Sequence, residues 1–154
     1  MKRFNFNLQK LLEIREKKEE LQKVNLAKAS GEYQLEVNKV ESIKNNVKNY
    51  KDSLIKKDGK LSIDNLRMLD YISTNAEKAI KNLEPVIEEK KRKMEKEIEK
   101  YNQLRREKRV VELIKEKKYN QYLEEAEKEE QKIIDEIGKN TYIKNKAHNL
   151  NSEN

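Results

Sequence analysis

Few residues in this chain could do chemistry. The one histidine, His148, stands in a polar stretch with no cysteine or carboxylate set around it, so neither a metal site nor a proton relay is spelled out. Absence of cysteine removes disulfides and thiolate ligation. The three glycines, Gly31, Gly59 and Gly138, are isolated, and no phosphate-cradling loop can be built from them. Carboxylates abound, but on helix faces that read as water-facing, where nothing would shift a pKa. The expectation is a protein with no catalytic residue, no cofactor, no metal and no small-molecule substrate.

One basic cluster carries a second kind of chemistry. Lys90-Lys91-Arg92-Lys93, followed by Arg105-Arg106 and Lys108-Arg109, could meet phosphates. A phosphate-binding stripe needs cations on one face with few carboxylates between them. Here they wrap several faces and alternate with Glu88, Glu89, Glu95, Glu97, Glu99, Glu107 and Glu112. A solvated helix face is therefore preferred, and nucleic-acid binding by a basic coiled coil is kept as a rival.

The elements that position these residues follow from composition. Of 154 residues, 42% are charged and 34% hydrophobic, with three Gly and one Pro. A globular domain carries about 45–50% apolar residues, so this chain lacks material for a three-dimensional core. Leu, Ile, Val and Ala nevertheless recur at three- and four-residue steps, which selects long helices over disorder. The net charge of +7 favours acidic partners without choosing among them. No apolar run reaches the roughly 18 residues of a membrane span, and no signal-peptide core follows Met1, so a cytoplasmic protein is expected.

Two runs of heptads predict an all-α, long two-stranded antiparallel coiled-coil hairpin over residues 1–138. In the first helix, about 6–57, Leu12, Leu26, Tyr33, Val40, Val47 and Leu54 share one position, and Leu8, Ala29, Ile43 and Tyr50 the other. Arg15, Glu19 and Gln22 interrupt this stripe, while Leu11, Ile14 and Leu21 lie on an adjacent face. That is either a local stutter or a second contact face. Lys57-Asp58-Gly59-Lys60 supplies the reversal, with Ser62 as the next N-cap. Thr74-Asn75-Ala76-Glu77 has capping-box spacing and Pro85 fits a first turn, so residues 62–84 read as one or two short helices near the closed end.

The second run, leading into a helix over about 85–137, carries Ile80, Ile87, Met94, Tyr101 and Tyr122 in one register and Leu83, Leu104 and Val111 in the other. Gly138 suits its C-cap, and residues 139–154 read as a polar, frayed tail. Equal helix lengths favour a pairing that sets Phe4, Phe6, Leu8 and Leu11 near Ile133 to Ile137. In a rival register, residues 62–137 form one kinked helix and those beyond about 116 are unpaired. The neighbour of Phe4 separates the two: Ile133 in the first, Lys115 in the second.

The chain opens Phe4-Asn5-Phe6-Asn7-Leu8, then Leu11-Leu12 and Arg15, and later reads Arg109-Val110-Val111-Glu112-Leu113-Ile114, Tyr119, Tyr122 and Glu129-Glu130-Gln131-Lys132-Ile133-Ile134-Asp135-Glu136. Both ends resemble the FliJ family of flagellar export proteins; the middle matches any coiled coil. The resemblance implies a non-enzymatic stalk and adaptor of the flagellar type III secretion apparatus. It implies a hexameric export ATPase, an export-gate membrane protein and substrate chaperones as partners, at the cytoplasmic face of the inner membrane. The equivalent stalk of a virulence secretion system is the nearest rival in kind. Carried over residue by residue, the resemblance implies an interface formed by Phe4, Phe6, Leu8, Leu11, Arg15, Tyr122, Gln131, Asp135 and Glu136.

Overall fold

The computed structural model describes residues 3–58 and 61–151, leaving aside the side chains of 56–58 and 148–151. It is all-α. Helix α1, Gln9–Asp58, and helix α2, Ile63–Asn151, pack against each other as a hairpin, and no strand occurs among the described residues. Gly59 and Lys60 of the expected reversal lie outside the described residues, as does the side chain of His148. No helix of the described residues is long and apolar enough to cross a membrane.

The start of α2 is set where the sequence places it. The Ser62 hydroxyl accepts a hydrogen bond from the Asn65 amide at 3.2 Å, and the Ser62 carbonyl accepts one from the Leu66 amide at 3.1 Å. Ser62 thus satisfies a donor that the first helical turn leaves free. Beyond it the expectation needs correction. Instead of short helices over 62–84 and a new helix from 85, α2 runs unbroken through the Thr74-Glu77 box and through Pro85.

A proline inside a helix removes one hydrogen bond and costs about 3 kcal/mol. Pro85 stands on the exposed face, as does Lys81, whose carbonyl loses its partner, so water can satisfy that carbonyl. The seam positions on either side, Leu83 and Ile87, keep their burial. Gly138 does not end α2 either, and the expected tail is helical through Asn151. Past Gly138, Thr141 returns its hydroxyl to the Ile137 carbonyl at 2.8 Å.

The chain divides into two compact units, one of residues 1–15 with 107–154 and the other of residues 16–106. In the second, the half-buried positions of α1 are those of the heptad, among them Leu26, Ala29, Tyr33, Val40, Ile43, Val47, Tyr50 and Leu54. On α2 they include Leu69, Ile72 and Ala76 and continue through Ile80, Leu83, Ile87, Met94, Tyr101 and Leu104. The stripe does not drift at its polar interruptions. Gln22, only 8% exposed, donates to the Glu97 carboxylate and, at 3.2 Å, to the Glu97 main-chain carbonyl. The Tyr101 hydroxyl reaches Glu19 at 3.4 Å, and Lys90 pairs with Glu32 at 2.8 Å. Partner numbers fall on α2 as they rise on α1, as antiparallel pairing requires.

Candidate partner interface

All nine residues expected at an interface fall within the first unit. Residues 3–8 precede α1 without being helical, apart from a turn at Asn7-Leu8 closed by the Gln9 amide on the Phe6 carbonyl at 3.0 Å. That turn directs the Phe6 ring into a small core with Leu12 and Val111, where the three are 5%, 4% and 4% exposed. Phe4 and Leu8 pack against this core while keeping part of their surface in water. Leu11 and Ile14 face outward, 36% and 51% exposed.

Aromatic rings close the end of the core. The Phe4 ring meets Tyr119 edge-on, with centroids 5.2 Å apart and planes at 76°, and Tyr122 at 5.5 Å and 52°. Tyr119 and Tyr122 stack on each other at 6.3 Å. Edge and tilted arrangements place the positive rim of one ring near the negative face of another, which adds to the burial of area. Polar contacts flank the rings. Lys115 donates to the Gln9 side chain at 2.9 Å and sits 6.0 Å from the Phe6 ring centre. Arg15 forms an ion pair with Glu107, leaving its buried Nε without a hydrogen bond.

This geometry corrects the register. Phe4 belongs beside Tyr119 and Tyr122, the neighbourhood of Lys115, and not beside Ile133. Ile133 lies 11 residues past Tyr122, or roughly 16 Å further along α2 at 1.5 Å per residue. The physical reason is the short connection: α1 ends at Asp58 and α2 begins at Ile63. A reversal that short pairs neighbouring turns, and residues 62–84 cannot be set aside from the seam.

The structure therefore brings together Phe4, Phe6, Leu8 and Tyr122 and sets Gln131, Asp135 and Glu136 apart from them. Gln131 donates to Asp135 one turn on, at 3.1 Å, and Glu136 is exposed. From residue 127 to residue 147 every position of α2 is exposed, including Ile133, Ile134 and Ile137 at 58%, 55% and 60%. Sequence reasoning left Tyr119 out of the candidate interface, named Lys115 only as the neighbour of Phe4 in the rival register, and did not find Gln9 or Glu107. Tyr119 was legible as the residue three before Tyr122, on the same helix face.

Beside Phe4 opens a cleft of about 520 Å³, lined also by Arg3, Tyr122, Glu125, Ala126 and Glu129. Elsewhere several charges pair with one another. Arg109 reaches Glu112 at 3.3 Å and Glu116 at 3.0 Å, and both carboxylates hold its guanidinium above its ordinary value. In the second unit Lys93 pairs with Glu89 at 3.0 Å and Arg92 with Glu88 at 3.5 Å. Its hydrogen bond to Lys90 pulls Glu32 below the usual carboxylate value, and the same bond raises Lys90. Glu97 is lowered chiefly by Lys100 and then by Gln22. Lys90, Arg92, Lys93, Lys108 and Arg109 of the basic cluster thus bind carboxylates of their own chain, which a phosphate backbone would have to displace. No group of three or more metal-ligating side chains occurs among the described residues.

Comparison with known proteins agrees with the motifs at the two ends. The family profile described as "Flagellar FliJ protein" matches residues 4–147, nearly the whole chain. No curated protein and no solved structure matches it. The profile covers the Phe4-Phe6 opening, the full heptad seam and the exposed isoleucines together, and the chain belongs to the FliJ family of flagellar proteins.

Proposed function

We propose that this chain is a non-enzymatic stalk and adaptor of the flagellar type III export apparatus. The first unit docks on a hexameric export ATPase, and the chain couples that ring to the membrane-embedded export gate and to substrate chaperones. It works in the cytoplasm, held at the inner face of the inner membrane by those partners. ATP hydrolysis belongs to the ring. The observation that carries this reading is the stretch 127–147, helical yet exposed at every position. Three isoleucines within two turns of one another there, at 133, 134 and 137, are left in water. An unpaired helix of that length is marginal in isolation, so a partner that buries its apolar residues supplies what the chain itself does not.

Co-purification with the ATPase of the same export system tests the proposal. The full chain is expected to associate with the ATPase and raise its ATP turnover. Ile133→Glu combined with Ile137→Glu is expected to abolish both effects while leaving helix content and thermal midpoint unchanged, because these side chains are exposed in the hairpin. Failure of the full chain to associate, or equal association by the double variant, would refute it.

A further inference from the structure

We propose that the cleft beside Phe4 receives a basic side chain, arginine or lysine, presented by the protein on which this end of the chain docks. The inference deepens the proposed docking role and rests on it only for the identity of the donor. Two rings, Phe4 and Tyr122, wall the cleft, and aromatic faces attract a cation within about 6 Å of their centres. Tyr122, Glu125, Ala126 and Glu129 follow at helical steps of three, four and seven, so all four line one face of α2. Ala126 stands one turn beyond the Tyr122 ring, and its single methyl leaves the space open.

The two carboxylates add negative charge to the aromatic walls of the cleft. Glu107, Glu112 and Glu116 are paired with arginine or lysine. Glu125 and Glu129 have no ion-pair partner among the described residues. The cation in the lining is Arg3, which is exposed. Two carboxylates against one guanidinium make an acidic, aromatic spot on a chain of net charge +7. An aliphatic occupant would use the rings and waste the carboxylates, and an acidic one would be repelled. A guanidinium or ammonium on an apolar stem satisfies both, its stem against Phe4 and Ala126 and its charge between Glu125 and Glu129.

The test uses the full chain with labelled alanine methyls and tyrosine rings, titrated with N-acetylarginine methylamide while nuclear magnetic resonance reads the shifts. The citrulline analogue, of the same shape but neutral, is the comparison. Saturable shifts are expected at Ala126 and Tyr122 and not at Ala79 or Tyr50, with citrulline weaker by roughly fivefold or more. Glu125→Gln with Glu129→Gln is expected to erase the preference for arginine, and Arg3→Ala to tighten arginine binding by removing a competing charge. Equal shifts from citrulline, or shifts spread alike over distant alanines, would overturn the proposal. These readouts need no ATPase, so they fail or succeed separately from co-purification.

Discussion

Replacing Phe6 by alanine perturbs the first unit at the centre of its packing. The ring is 5% exposed and touches a core of few side chains, with Leu12 and Val111 as the other buried members. A buried aromatic removes about 150–250 Å² from water. At about 25 cal/mol per Å² the loss is about 4–6 kcal/mol, overlapping the roughly 3–5 kcal/mol observed for Phe→Ala in cores. Phe6 lies ahead of α1 in a terminal segment that can move to fill part of the space, so a loss of about 3 kcal/mol is expected. That corresponds to roughly a 150-fold increase in local opening. Hydrogen–deuterium exchange on the intact chain reads it directly: amides over 9–15 and 108–119 should lose protection by that factor, or entirely if they start with less. Ile14→Ala, at a side chain 51% exposed, should change the same amides by less than about threefold. Equal effects from the two substitutions, or unchanged protection in Phe6→Ala, would refute the packing argument.

Acid should loosen the second unit through Glu32 and Glu97, both held below the ordinary glutamate value of 4.5. A carboxyl whose folded pKa is depressed adds stability above its unfolded value and loses it as pH falls through the folded one. Helix content followed from pH 6 down through the carboxylate range should therefore show wild type losing stability that Glu32→Gln has already lost, and parallel profiles would sink this. At the alkaline end Lys90, raised by Glu32, gives its support below 10.5 and withdraws it as pH climbs through the elevated value. Gln22→Leu combined with Glu97→Leu is expected to raise stability by an amount on the order of 1 kcal/mol, because a hydrogen-bonded polar pair in the seam gives way to an apolar one. It should also broaden the distance distribution between spin labels at positions 26 and 94. A sharp, unchanged distribution would show that Gln22 has no part in fixing the register.

How much the sequence disclosed depended on whether a rule was local or shared along the seam. The heptads of Leu12, Leu26, Tyr33, Val40, Val47 and Leu54 and of Leu83, Leu104 and Val111 are the buried or half-buried positions. Ser62 caps where its spacing put it. Pro85 and Gly138 misled because each is a local penalty of a few kilocalories at most, set against packing and hydrogen bonding summed over a long helix. Where such a residue faces water, the helix continues. Arg15, Glu19 and Gln22 looked like gaps when one strand was read alone. Glu97 in fact falls on the companion register of Leu83, Leu104 and Val111, and Tyr101 on the other, so polar positions on the two helices answer each other. Of the residues expected at an interface, Phe4, Phe6 and Leu8 pack together because aromatic and apolar side chains need burial, and Tyr122, carried over by the resemblance, meets Phe4. Gln131, Asp135 and Glu136 carry no such constraint, and nothing in their spacing told which turn of α2 lies opposite Phe4.

The exposed stretch of α2 also limits what any partner can gain from it. Ile133, Ile134 and Ile137 are 55–60% exposed, so full burial recovers a little over half of the 1.5–3 kcal/mol that an isoleucine yields. Together they supply about 3–5 kcal/mol, whereas micromolar binding needs about 8 kcal/mol after the cost of lost translation and rotation has been met. Three isoleucines alone cannot hold a protein in place. The same unit offers a second surface in Phe4, Tyr119 and Tyr122, rings that are only partly covered and border an acidic cleft. Tyr119 and Tyr122 lie on α2 within a few turns of the isoleucines, so a single partner spanning Tyr119 to Ile137 would engage both surfaces with one loss of freedom. Affinity then depends on the rigidity of the helical stretch between them, residues 123–132, and a helix-breaking Ala126→Pro should weaken binding more than removal of any one isoleucine.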